Sequence, residues 1–205
     1  MNAYFLIDRS GSMTSKWGET LSAVNGYVAD LAKNAATAQT VMSVALFDTP
    51  TSTMDYTILR QGVTAKTMKP LDPKEATPRG WTPLFDAIGR LATQIAEDMP
   101  ERATIIVVTD GIENGSRELN KDGAKSVLDM FRAKGYDVVF MGADFDAYGQ
   151  SGSMGIGVGA TINATKGGLR GATEALSART VMYAGGITAA SLNFSDADRL
   201  KAAHV

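Results

Sequence analysis

Asp8-Arg9-Ser10-Gly11-Ser12 sets a carboxylate and two hydroxyls at alternate positions, directly after the apolar run Tyr4-Phe5-Leu6-Ile7. Alternate residues of a strand face the same side, so a turn after Asp8 can gather Asp8, Ser10 and Ser12 around one point. Three hard oxygen donors there suit a divalent cation such as Mg²⁺. Taken alone, the same residues read equally well as a turn or a helix cap, and the chemistry depends on further ligands. Two candidates follow: Thr82 in Gly80-Trp81-Thr82-Pro83-Leu84, and Asp110 in Thr109-Asp110-Gly111. The set of two carboxylates and three hydroxyls contains no histidine or thiol, which fits Mg²⁺ or Mn²⁺, with Ca²⁺ also compatible, better than Zn²⁺ or Cu²⁺.

The elements that must position these residues alternate between strands and helices. The apolar run before Asp8 reads as a buried strand, and Lys16 to Asn34 as an amphipathic helix carrying Leu21, Val24, Val28 and Leu31. Val41 to Phe47 is a second buried strand, and Tyr56 to Leu59 a short antiparallel edge strand returning from it. Thr64 to Pro83, with Pro70, Pro73, Pro78 and Pro83, reads as a long surface connection. It delivers Thr82 to the start of a helix running to Met99, where Thr82 is expected to cap. Thr104 to Thr109 is the most continuous β-branched run, as a central parallel strand requires. A helix over Asp122 to Lys134 and a strand over Asp137 to Met141 complete the strong signals. Weaker ones are a short helix over Asp146 to Met154, a strand over Ala160 to Asn163, a helix over Gly168 to Ala184 and a Ser-capped final turn at Phe194 to Leu200. The pattern predicts an α/β, Rossmann-like, doubly wound fold: a mostly parallel sheet with one antiparallel edge strand and helices on both faces. In such sheets ligands bind at the carboxyl ends of the strands, where the loops carrying Asp8 and Asp110 should flank one crevice and Thr82 lean over it.

Composition narrows the function classes. The 205 residues carry 20 Lys and Arg against 22 Asp and Glu, a net charge of -2, so no basic excess argues for nucleic acid. There is no cysteine, which removes disulfides and thiolate metal sites. No run approaches the roughly 18 apolar residues of a membrane span, and the opening apolar run stops at Asp8, short of a signal-peptide core. The expectation is one domain over residues 1–205, acting in the cytoplasm, or in the host cytoplasm if the chain is phage-encoded, on a protein partner and not on nucleic acid or membrane.

Asp8-x-Ser10-x-Ser12, Thr82 within Gly-Trp-Thr-Pro-Leu-Phe-Asp-Ala-Ile, and Thr109-Asp110-Gly111 together resemble the metal-ion-dependent adhesion site of von Willebrand factor A domains, in that family's order. The resemblance covers roughly residues 1–145. Residues 146–205 resemble the extension of stand-alone bacterial and phage members, through Gly152 to Ile156 and Phe194 to Asp196. It implies a divalent ion held by Ser10, Ser12 and Thr82, with Asp8 and Asp110 close by, partly through water. It also implies a partner that completes the coordination with an Asp or Glu side chain. Neutral hydroxyls leave most of the ion's charge uncompensated, which favours an incoming carboxylate. Family members often work beside an AAA+ ATPase or its substrate, and a structural role in virion assembly is a further reading. A phosphatase of the haloacid dehalogenase type also starts from a strand-end Asp, but needs a second Asp where Ser10 stands.

Around this set, Gly80 and Gly111 are expected to serve loop geometry. Asp86 either supports the site or supplies a favourable charge to a helix's first turn. Asp48 either supports the site or starts a turn. Glu113 and Asn114 are expected on the rim, where partner choice would be decided, although Asn114-Gly115 is also an ordinary turn pair, and Trp81 either contacts a partner or packs its loop. Gly155-x-Gly157-x-x-Ala160 lacks the strand and helix flanks of a dinucleotide fingerprint, and Gly149 to Ser153 is no nucleophile elbow. His204, the sole histidine, lies in the tail.

Overall fold

In the computed structural model, which describes residues 1–143 and 147–203, the elements follow the expected alternation. They are β1 (Asn2–Asp8), α1 (Trp17–Lys33), β2 (Val41–Asp48), β3 (Asp55–Thr64), α2 (Leu84–Asp98), β4 (Ala103–Thr109), α3 (Lys121–Ala133), β5 (Asp137–Ala143), α4 (Ala147–Ser153), β6 (Thr161–Ala164), α5 (Leu169–Ala184) and α6 (Asp196–Ala203). The strands form one sheet in the order β3-β2-β1-β4-β5-β6. All neighbours are parallel except β2 and β3. The chain leaves β1 for β2 on one side and places β4 on the other, so the strand order reverses between β1 and β4, where the loops after both strands open.

Helices cover both faces. Phe5 and Ile7 of β1 point into the layer beneath α1, α5 and α6, while Tyr4 and Leu6 point into the layer beneath α2, α3 and α4. This period-two split explains why β1 and β4 read as continuous apolar runs: each face is a core. On the first face Phe5 meets Tyr27 of α1 edge-on at 5.1 Å. The chain after β5 joins the same layers. β6 pairs with β5, the Tyr27 and Thr180 hydroxyls share a hydrogen bond at 3.0 Å between α1 and α5, and Arg179 pairs with the buried Asp137 at 2.7 Å. Among the described residues no helix is long and apolar enough to cross a membrane.

The structure departs from expectation at element ends. The edge strand is longer than Tyr56 to Leu59, because backbone pairing with β2 continues through the polar stretch Arg60-Gln61-Gly62 with register shifts, and Gly62 takes a left-handed φ of 66°. At the sheet edge the strand is only partly covered, with Leu59 and Val63 on one core and Tyr56 on the other, and its polar side chains hide it from hydrophobic patterning. The final turn is an eight-residue helix, α6, opened by reciprocal bonds between Ser195 and Asp198. Thr82 does not cap α2: Pro83 holds that position without a side-chain cap, and the helix's free N–H groups are satisfied from a distant loop described below. The Asp146 start of the expected short helix and the tail residue His204 lie outside the described residues.

Candidate metal centre

Asp8 ends β1 with its side chain fully buried. Its Oδ1 accepts from the Ser10 N–H at 2.7 Å and its Oδ2 from the Thr109 hydroxyl, the last residue of β4, at 2.6 Å. Burial pushes the Asp8 carboxyl up to about 6, with the nearby Asp110 charge adding to the rise, while the bonds from Thr109 and Ser10 oppose it. After Asp8 the chain turns into a 3₁₀ helix, Gly11–Ser15, which carries the second serine back over the strand end. The Ser10 and Ser12 hydroxyls lie 3.0 Å apart, and Ser12 Oγ donates to Asp110 Oδ1 at 2.6 Å. The two loops flanking the strand-order reversal are thus joined through Ser12 and Asp110.

Thr82 completes the cluster. A methyl group placed on Gly111 would lie 3.5 Å from Thr82 Oγ1 and 3.6 Å from Ser12 Oγ, so both hydroxyls border the space beside Gly111. Gly111 keeps an ordinary φ, so the expected need for special backbone geometry there is not met; its lack of a side chain leaves that space open. Thr82 as a residue is 2% exposed; its hydroxyl makes no hydrogen bond among the described residues and is not one of the fully buried unpaired polar atoms, so the oxygen itself keeps some exposure. All five residues expected at the site therefore come together at one sheet edge. Among the described residues no three Asp, Glu, His or Cys side chains form a metal-type cluster, so a cation here would depend on the hydroxyls as well as the two aspartates. An unpartnered hydroxyl facing other oxygen donors fits such a role.

The loop that carries Thr82 is clamped by bonds no local pattern announces. Gly11 N–H donates to Gly80 O at 3.1 Å, Arg79 N–H to Arg9 O at 2.8 Å, and the Thr49 and Trp81 backbones bond each other in both directions. Asp48, fully buried, accepts from Arg9 Nε at 2.9 Å and Nη2 at 3.0 Å, and from Arg79 Nε at 2.9 Å. Asp48 is thus a counter-ion for the arginines beside the site, more than a turn residue. Gly80 sits at φ 67°, and a Cβ on it would lie 2.0 Å from Thr49 O. Gly80→Ala is accordingly expected to lower unfolding free energy by about 2 kcal/mol or more, measurable as a lower urea midpoint.

The loop after β4 holds α2 in turn. Thr82 N–H donates to Asn114 Oδ1 at 2.8 Å, and Phe85 N–H to Glu113 Oε2 and Ser116 Oγ at 3.0 Å. Glu113 also accepts from the Gly115 and Ser116 N–H groups at 2.8 and 2.7 Å. Glu113 therefore helps to cap α2, and Asn114, an exposed residue, steadies Thr82 through its side-chain oxygen. Asp86 accepts three backbone N–H bonds, from Arg117, Glu118 and Leu119, which answers its two readings in favour of support for the loop carrying Asp110. Trp81 is 59% exposed, and its backbone holds the loop through its paired bonds with Thr49. Sequence reasoning passed over Lys16, whose Nζ lies 2.9 Å from Asp110 Oδ2. A lysine at a helix start carries no signal of where its flexible chain will end.

An open α/β sheet with an oxygen-rich cluster at its carboxyl edge defines a class of ligand-binding domain. The chain belongs to the von Willebrand factor type A domain family, whose model matches residues 2–161. No curated protein matches it in sequence. Among solved structures it resembles the pilus adhesin SpaC of Lactobacillus rhamnosus GG, with a TM-score of 0.68 and 13% identity over 90% of this chain and 30% of that one. It also resembles the domain of the type V pili tip protein Mfa5 of Porphyromonas gingivalis, with a TM-score of 0.67 and 12% identity over 89% and 95% of the two chains. The manganese-loaded TRAP protein of Plasmodium vivax has a TM-score of 0.50 and 19% identity over 69% of this chain and 56% of that one. At these identities the likeness is one of fold, and the chain spans less than a third of SpaC.

Proposed function

We propose that the chain is a protein-binding module that uses a divalent cation, Mg²⁺ in the first instance, to grip an Asp or Glu side chain of its partner. The observation that carries this reading is the convergence of Asp8, Ser10, Ser12, Thr82 and Asp110 on the carboxyl edge of the sheet, with the Thr82 hydroxyl unpartnered. A cation bound there would supply a coordination position that favours an incoming carboxylate. Ser10, Ser12 and Thr82 would hold it with little charge compensation, and the two aspartates would orient the hydroxyls. The manganese named for the TRAP structure, in the same fold, is in keeping with such a use.

The surroundings suit a protein surface. Trp81 and Ile112, 59% and 72% exposed, stand on the loops beside the cluster. A groove of about 850 Å³, lined by Phe85, Asp110, Ile112, Lys121 and Gln150 among others, runs from Asp110 toward α4. Exposed aromatic and aliphatic side chains around a charged centre are the usual anchors of an interface. Nucleophilic catalysis is disfavoured, because both oxygens of the buried Asp8 are already engaged by donors. Capture of the partner from host extract with Mg²⁺, and its loss with chelator, tests the proposal; capture unaffected by chelator would refute it. An AAA+ ATPase, its substrate or a virion component would each be recognised in the captured material.

Cation binding should depend on pH. Without a cation, the Asp8 carboxyl in the folded chain holds its proton up to about 6, above its usual range. A cation needs the carboxylate, so affinity is expected to be full above that pH and to fall by about tenfold per unit below it. Mn²⁺ titrations between pH 5 and pH 8, roughly, check this; a flat profile would show that Asp8 is not ionised on binding.

A further inference from the structure

Lys16 stands at the start of α1, directly after the 3₁₀ turn that carries Ser12. Its direction is set on both sides. Lys16 N–H donates to Met13 O at 3.0 Å, and the next residue, Trp17, is buried and donates from Nε1 to Ala76 O at 2.8 Å. The side chain, 12% exposed, is thereby turned inward, and its ammonium lies 2.9 Å from Asp110 Oδ2, on a carboxylate whose side chain is 0% exposed. The other oxygen, Oδ1, takes the Ser12 hydroxyl. Asp8, by contrast, meets only neutral donors, the Ser10 N–H and the Thr109 hydroxyl.

The charge count follows. Two carboxylates would balance one divalent cation and leave the loaded cluster neutral overall, so that the open coordination position alone would draw an anion. With the Lys16 ammonium inside the same cluster, the unloaded site carries one net negative charge and the loaded site one net positive charge. A resident positive charge repels a second cation and attracts a carboxylate, strongly where burial limits screening.

We infer that Lys16 is a built-in cation of the site, which neutralises Asp110 when no metal is bound, holds metal affinity down, and gives the metal-loaded site the net positive charge that selects an acidic partner side chain. This inference rests on reading the cluster as a cation site. It goes beyond that reading by assigning to a residue outside the five oxygen ligands control over how tightly the cation is held and what the loaded site attracts.

The test compares the wild-type chain with Lys16→Met, which keeps the length of the side chain without its charge, and Lys16→Arg, which keeps the charge. Lys16→Gln serves as a second neutral variant should the methionine form fold poorly by circular dichroism. Free Mn²⁺ is titrated alone and followed by its electron paramagnetic resonance signal, and melting is recorded in EDTA. Lys16→Met is expected to bind Mn²⁺ more tightly by about tenfold or more, while Lys16→Arg stays close to wild type. In EDTA, Lys16→Met should melt below wild type, because buried Asp110 has lost its counter-ion, and saturating Mn²⁺ should close that gap. A side chain with only a packing role would leave Mn²⁺ binding unchanged or weaken it. Mn²⁺ binding by Lys16→Met equal to or weaker than wild type overturns the inference and leaves the cation site standing. No binding by any of the proteins overturns both. Binding by Lys16→Met alone, with none by wild type, would confirm Lys16 as the resident cation but overturn its part in charging a metal-loaded site.

Discussion

Thr82→Ala is expected to abolish cation-dependent capture of the partner while leaving the fold intact. The Thr82 hydroxyl has no hydrogen-bond partner among the described residues, so its loss strands no buried group. The bonds that fix the Thr82 backbone, its N–H to Asn114 Oδ1 at 2.8 Å and its carbonyl from the Asn114 N–H at 3.1 Å, do not involve the side chain. Removing a few atoms from such a place should cost no more than about 1 kcal/mol of stability. Binding should suffer far more, since Mg²⁺ demands near-ideal geometry and Thr82 offers the only candidate donor from the loop before α2; a loss of about a hundredfold in Mn²⁺ affinity is expected. Isothermal titration with Mn²⁺, beside a thermal melt of the same sample, reads both quantities. A variant that binds Mn²⁺ as wild type does would remove Thr82 from the site.

Asp48→Ala should produce the largest loss of stability, about 3–5 kcal/mol, because it strands a buried guanidinium. Arg9 is 5% exposed, and without Asp48 its remaining acidic contact is Asp55 at 3.3 Å. Arg79 loses its Nε acceptor as well, although it keeps Asp55. The damage should reach the site, since Arg79 N–H bonds Arg9 O and the chain continues from Arg79 through Gly80 to Thr82. Urea denaturation is expected to show a clearly lower midpoint, and Mn²⁺ affinity to fall even though no oxygen ligand has been removed. A loss below about 1 kcal/mol would mean that Arg9 finds water or Asp55 as readily as Asp48, against the usual cost of an unpaired buried charge.

The two effects divide along what a sequence can display. The strands carrying Asp8 and Asp110 were legible because both of their faces are cores, which makes them short apolar runs ending abruptly in a carboxylate. The doubly wound order followed from the alternation of strand and helix patterns, and the gathering of Asp8, Ser10, Ser12, Thr82 and Asp110 from the rule that such sheets open at their carboxyl edge. Thr82 does lie just before α2, but it is the loop after β4, through Glu113 and Ser116, that does the capping expected of Thr82 itself. The edge strand and α6 were under-read, since polar side chains on a partly exposed element weaken the periodicity that marks it.

By itself the sequence determined the fold class and the kind of oxygen chemistry at the end of β1, because both arise from local runs and spacings of a few residues. Only the tertiary structure decided how that chemistry is held and charged. It joined Asp110 to Lys16 across 94 positions, Asp48 to Arg9 across 39 and Asp86 to the backbone of Arg117 across 31. In each pair at least one partner lies outside the regular elements, and the pairing is chosen by the burial of charge once the sheet has formed, which no local pattern records.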